Sequence, residues 1–168
     1  MKFRLRIPQH KVLYYAGLYS STADKDIEPY GTAAKRQRYL TRKQLFEICH
    51  WKSHRRAELS KGNSQAAVKE ISRFAFSAKT DHARIGGLML LAGVKMPTAS
   101  VILHFCVDSH YPILDVRALW SLTINRPSSY RFDFWLEYVE ICQNEAKRLG
   151  ITVRTLDKAL WQYSRCKQ

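Results

Sequence analysis

Leu91-Ala92-Gly93-Val94-Lys95-Met96-Pro97-Thr98-Ala99-Ser100-Val101-Ile102-Leu103 reads as the end of one helix, a tight turn and the start of another. Gly93 supplies the backbone freedom a helix end needs, and Pro97 fits a first turn, where its missing amide hydrogen is not required. Ala99, Ile102, Leu103 and Cys106 then fall on one face at helical spacing. Upstream, Thr80-Asp81 open a short helix through Ile85, Leu88 and Met89 that ends at Ala92-Gly93. Downstream, a loop over residues 108 to 112 leads to Asp115, which stands in N-cap position before Val116-Arg117-Ala118-Leu119-Trp120.

The same signals extend in both directions. Thr41 caps a helix to about Lys52 that buries Leu45, Ile48 and Cys49, and Ser64 caps one with Ala67, Ile71, Phe74, Ala75 and Ala78 on its apolar face. Phe132, Trp135, Val139, Cys142, Ala146 and Leu149 mark a long helix from about residue 131 to 149, which Gly150 terminates. A last helix spans roughly residues 154 to 164 with Leu156, Leu160 and Tyr163 inward. Near the start, residues 1 to 7 alternate in a strand-like way, His10 to Tyr19 forms a short helix, and residues 20 to 40 read as a loop. The fold class is therefore all-α, with about seven helices, no internal repeat and a single domain of two lobes at most.

The chain holds 168 residues with 28 Lys and Arg against 14 Asp and Glu, a net charge of +14. Residues 1 to 62 carry 14 basic and 5 acidic side chains, the remainder 14 and 9. Such a surplus points to a polyanionic partner, because cations that neutralise phosphates release condensed counterions. No apolar run reaches the roughly 18 residues of a membrane span, and Met1 to Arg6 alternates charge with apolar residues, so no membrane partner and a cytoplasmic location are expected. Cys49, Cys106, Cys142 and Cys166 are widely spaced, which writes neither a zinc site nor an iron-sulfur cluster, and no metal or cofactor is expected.

A Gly-containing turn between two helices exposes backbone amides beside a helix N-terminus, where a phosphate is stabilised without base-specific contact. Leu91, Gly93, Val94, Thr98 and Ala99, with Asp115 at its separation from them, resemble the helix-hairpin-helix DNA glycosylase superfamily, which includes endonuclease III and the adenine and alkylbase glycosylases. The resemblance covers about 30 residues continuously, residues 91 to 117 at its centre. It implies a DNA N-glycosylase that flips a damaged or modified base out of the duplex and cuts its glycosidic bond, as in base excision repair. Asp115 takes the place of the catalytic aspartate, whose carboxylate stabilises positive charge building on the deoxyribose and orients or activates a water. An ordinary helix N-cap is the alternative role for the same side chain.

Departures from the family pattern carry implications of their own. The second hairpin glycine is Lys95, which changes the turn and tells against the monovalent cation held by hairpin carbonyls in some relatives. Pro97 occupies the place of the Schiff-base lysine of bifunctional relatives, which implies a monofunctional enzyme that leaves an abasic site. The four-cysteine cluster of endonuclease III is missing.

By order and placement Trp51-Lys52-Ser53-His54 resembles the family region that fills the space a flipped base vacates. Trp51 is then a stacking or wedge residue, or else a core aromatic; Lys52 contacts substrate or replaces the absent amine nucleophile, or else is solvated charge. Tyr14 and Tyr15 are candidates for the base pocket, with packing as the alternative. Gly93, Lys95, Thr98, Arg55, Arg56 and Arg117 are the candidate DNA contacts, with Arg36 and Arg38 as further phosphate contacts and surface charge as the alternative. The expected partner is duplex DNA bound by a monomer. A non-catalytic hairpin module that only holds DNA and an RNA-binding basic half are the competing functions.

Overall fold

Side-chain capping sets half of the helix starts. A computed structural model describes residues 2–20 and 24–168, and among them it contains ten α-helices and no strand. A 3-10 turn at Gln9–Lys11 leads into α1 (Val12–Leu18), followed by α2 (Glu28–Gln37), α3 (Arg42–Lys52), α4 (His54–Ser60) and α5 (Gln65–Ser77). Then come α6 (Asp81–Leu88), α7 (Met96–Cys106), α8 (Val116–Ser121), α9 (Phe132–Arg148) and α10 (Val153–Lys167). Thr41, Ser64, Thr80, Asp115 and Thr152 each accept a first-turn amide hydrogen, and Thr41 with Gln44 closes a reciprocal capping box. Gly150 ends α9 in the left-handed region at φ 66°.

The chain divides into two compact units, one of residues 22–108 and one of residues 1–21 with 109–168. In the first, α7 is the central element. Nine of its residues are buried, and α2, α3 and α6 all pack on it. In the second, α10 is central, with α1, α8 and α9 against it. The extended segment before α1 is tied to the end of α8, since the amides of Arg4 and Arg6 donate to the carbonyls of Leu122 and Ser121. It pairs with a helix terminus and forms no strand, which corrects the strand-like reading of its alternation.

Three other expectations change. Of the stretch read as a loop, residues 21–23 lie outside the described residues, but Glu28–Gln37 is helical. Pro29 sits in its first turn, and Gly31 lies so close to α7 that an added Cβ would stand 2.7 Å from the Phe105 Cβ. Those residues look like loop punctuation, yet they let a helix start and let it approach another closely. Residues 54–60, to which the sequence assigns no helix, form α4. The helix opened by Thr80-Asp81 stops at Leu88, and residues 89–95 form the turn.

On α5 the buried residues are Val68, Ser72 and Ala75, while Phe74 is more than half exposed. Ser72 is tolerated inside because its hydroxyl donates to the Val68 carbonyl at 2.6 Å and accepts from the Leu40 amide at 2.7 Å. Phe74 lies over Gly87 of α6, where an added Cβ would meet its ring at 3.1 Å.

Candidate functional site

The turn between α6 and α7 is held from a third element. Asn63 takes both polar groups of Ala92: its Oδ1 accepts the amide hydrogen at 2.9 Å and its Nδ2 donates to the carbonyl at 3.0 Å. The same Nδ2 donates to the Ser60 carbonyl at the end of α4. Gly93 has φ 82°, and a Cβ there would stand 2.8 Å from the Ser60 nitrogen and 3.3 Å from the Arg56 carbonyl oxygen. Both backbone conformation and space therefore require glycine. The turn is thus set beside the helix that carries Arg55 and Arg56, both exposed. Lys95 is exposed at the N-cap of α7, and its amide and that of Gly93 donate no hydrogen bond among the described residues. Thr98 is buried in the first turn of α7.

Trp51 and Lys52 close α3, and both are half-buried. Trp51 meets Phe105 of α7 edge to face, with centroids 5.8 Å apart. His54, at the start of α4, stacks on His50 at 3.9 Å. These residues and the turn all belong to the unit of residues 22–108.

Asp115 belongs to the other unit. It is half-buried, and its Oδ1 accepts the Arg117 amide hydrogen at 2.9 Å, capping α8. The chain leading to it is pinned at Ile113. Asp157 Oδ2 accepts the Ile113 amide hydrogen and the Tyr138 hydroxyl donates to the Ile113 carbonyl, each at 3.0 Å. Asp157 and Tyr138 are both buried. Burial holds the Tyr138 hydroxyl well above the ordinary tyrosine range, with the charges of Cys142, Asp157 and Asp115 acting in the same direction. Tyr130 is also raised, first by burial, with Arg126 opposing and Asp115 adding to the rise. The Asp115 carboxylate is therefore in electrostatic reach of two tyrosines on the same unit.

The Arg117 guanidinium lies 5.6 Å from the centre of the Trp161 ring on α10. Tyr14 is exposed on α1 and Tyr15 is buried there; the two rings meet edge to face at 5.3 Å, and Tyr15 meets Tyr163 of α10 at 4.9 Å. Tyr15 is placed as a packing residue between α1 and α10. Among the described residues, no group of three or more His, Cys, Asp or Glu side chains is placed to hold a metal ion, and no helix is long and apolar enough to cross a membrane.

Sequence reasoning missed Asn63, Asp157 and Tyr138. Asn63 had a signal, a polar residue beside Gly62 in a chain break, and Asp157 stands in the inward stripe between Leu156 and Leu160. Comparison of the chain with protein families, curated proteins and solved structures gives no match.

Proposed function

We propose that the protein is a monofunctional DNA N-glycosylase of the helix-hairpin-helix type, acting as a monomer in the cytoplasm on a flipped-out damaged or modified base. The observation that carries this reading is Asp115: a half-buried carboxylate with one oxygen engaged by a backbone amide, on a segment fixed two residues earlier by buried hydrogen bonds. A carboxylate held in this way suits stabilisation of an oxocarbenium-like sugar, which requires negative charge at a defined position. The turn at Gly93 supports the DNA-binding half of the reading. Its amides at Gly93 and Lys95, the start of α7 and the cations of Lys95, Arg55 and Arg56 suit phosphate contacts. Trp51 and Lys52 are the proposed wedge and substrate contact, and Tyr14 contributes an exposed ring to the base pocket.

A non-catalytic DNA-binding module is the second reading, favoured by one observation: the Asp115 carboxylate caps α8, a sufficient structural reason for an aspartate there. Base release separates the two. Duplex and single-stranded DNAs carrying a panel of damaged and naturally modified bases are incubated with the protein and then treated with alkali. Cleavage that depends on alkali is the expected result and identifies the base. Binding without an abasic site on any substrate assigns the module.

A further inference from the structure

The unit that carries Asp115 has a second cluster, built from cations laid over aromatic rings. The Arg6 guanidinium lies 4.5 Å from the centre of the Trp120 ring, and Arg117 and Arg165 lie 5.6 and 5.3 Å from that of Trp161. Arg154 and Lys158 lie 5.3 and 5.6 Å from the centre of the Tyr19 ring. The rings are themselves in contact, Tyr19 with Trp161 at 5.5 Å and Trp120 with Tyr163 at 6.0 Å. Four elements contribute: the extended segment before α1, the end of α1, α8 and α10. Packing of α1 and α8 on α10, and the backbone bonds from Arg4 and Arg6 to the end of α8, bring them together.

The charge of these elements is one-sided. Residues 2–20 with α8 and α10 hold nine Lys and Arg and one acidic residue, Asp157, which is buried. Among the described residues Arg6, Arg117 and Arg165 enter no ion pair. Their partners are rings and, for Arg6, the Trp120 carbonyl, none of which carries a compensating charge, and Arg6 and Arg165 are exposed, where a guanidinium suits a planar, anionic ligand.

We propose that this face binds a single strand of nucleic acid, with bases stacked on the rings and on the guanidinium planes above them and with phosphates on the same cations. Charge alone suits any polyanion, but the aromatic component selects. A duplex keeps its base faces stacked inside and offers only phosphates and groove edges, whereas an unpaired strand presents base planes that stack on aromatic and guanidinium surfaces. The proposal is separable from the glycosylase reading: Arg117 is a candidate DNA contact in both, but the rings and the cations of Arg6, Arg154, Lys158 and Arg165 play no part in that reading.

Fluorescence anisotropy of the full chain with a labelled oligothymidylate of about 20 nucleotides, and with the duplex it forms with oligodeoxyadenylate, tests it. The expected result is single-strand binding that depends on this face, weakened by the following variants more than duplex binding is. Replacing Arg154, Lys158 and Arg165 together by Gln weakens it roughly tenfold and lowers the dependence of log K on log salt by about 2. Trp161→Ala weakens it by roughly tenfold with the salt dependence unchanged, because a stacking plane and not a charge is lost. Circular dichroism and thermal melting establish that each variant is folded, and the glutamine variant decides the matter without Trp161→Ala. A folded glutamine variant that binds the single strand like the parent overturns the proposal, as does one whose affinities for the single strand and the duplex fall by the same factor.

Discussion

The buried carboxylate of Asp157 accepts the amide hydrogen of Ile113 across 44 residues of sequence, at 3.0 Å. Tyr138 holds the carbonyl of the same residue, so both backbone polar groups of Ile113 are satisfied by side chains from α10 and α9. The segment entering the Asp115 cap is therefore a fixed part of the core. Replacing Asp157 by Ala leaves a buried amide without its acceptor and is expected to lower stability by about 2 kcal/mol; Tyr138→Phe removes a neutral bond and costs about 1 kcal/mol. Because both act on one residue, the double variant should lose less than the sum. Urea unfolding of the three variants measures this, and strict additivity would show that the two bonds do not act on Ile113 as a unit.

Local chemistry was legible in the sequence wherever one side chain does a local job. Thr41, Ser64 and Asp115 read as caps and are caps, Thr80-Asp81 read as a helix start and Thr80 caps it, and Pro97 and Gly150 stand where their backbone chemistry puts them. What was not legible depends on partners distant in sequence. Glu28–Gln37 looks like a loop until α7 is present, because Gly31 is there to admit Phe105. Ser72 points inward because the Leu40 amide waits for its hydroxyl, 32 residues away. The cap at Asp115 could be read from its neighbours, but its support from Asp157 and Tyr138 could not, since no spacing rule links residues 113, 138 and 157.

Three glycines are expected to respond differently to alanine. At Gly93 the left-handed backbone and the 2.8 Å approach to the Ser60 nitrogen act together, so Gly93→Ala should cost about 2 kcal/mol or more. Gly150 has φ 66° and open space around it, so Gly150→Ala should cost only the conformational term, about 1 kcal/mol. Gly17 lies within α1 with nothing near its Cβ direction, and Gly17→Ala should stabilise by about 0.5 kcal/mol. Thermal melts of the three variants give the order, and a Gly93→Ala protein no less stable than Gly150→Ala would remove the close approach to α4 as a constraint.

Burial pushes the Cys49 thiol up to about 11, against a weaker opposing effect of its hydrogen bond with Ser60, and the Cys106 thiol up to about 12. Cys142 is raised in the same direction, also chiefly by burial. These groups stay protonated in the folded protein while unfolded thiols ionise near 9, so their contribution is complete below that pH and is lost as pH rises toward 11 and 12. The urea midpoint should fall steadily above about pH 9. At pH 8 a thiol reagent should modify only the exposed Cys166 quickly, and the other three should react on unfolding. Fast modification of more than one thiol in the native protein would contradict this arrangement.

Asp115 has two roles on offer, cap and catalyst, and Asp115→Asn separates them. Asparagine is as good an N-cap as aspartate, and its side-chain oxygen is placed to accept the Arg117 amide hydrogen as Oδ1 does now. Stability should therefore change little, whereas Asp115→Ala should lose about 1 kcal/mol with the cap. On the proposed glycosylase reading the chemistry depends on the charge: without it, a developing oxocarbenium ion would have no counter-charge at a fixed distance, and base release should fall by a factor on the order of 10² or more. DNA affinity should persist, since removing a negative charge near phosphates does not weaken their binding. Urea unfolding, DNA binding and single-turnover base release on one preparation give all three quantities. Undiminished base release by a folded Asp115→Asn protein would leave the residue as a cap alone and move the catalytic role elsewhere.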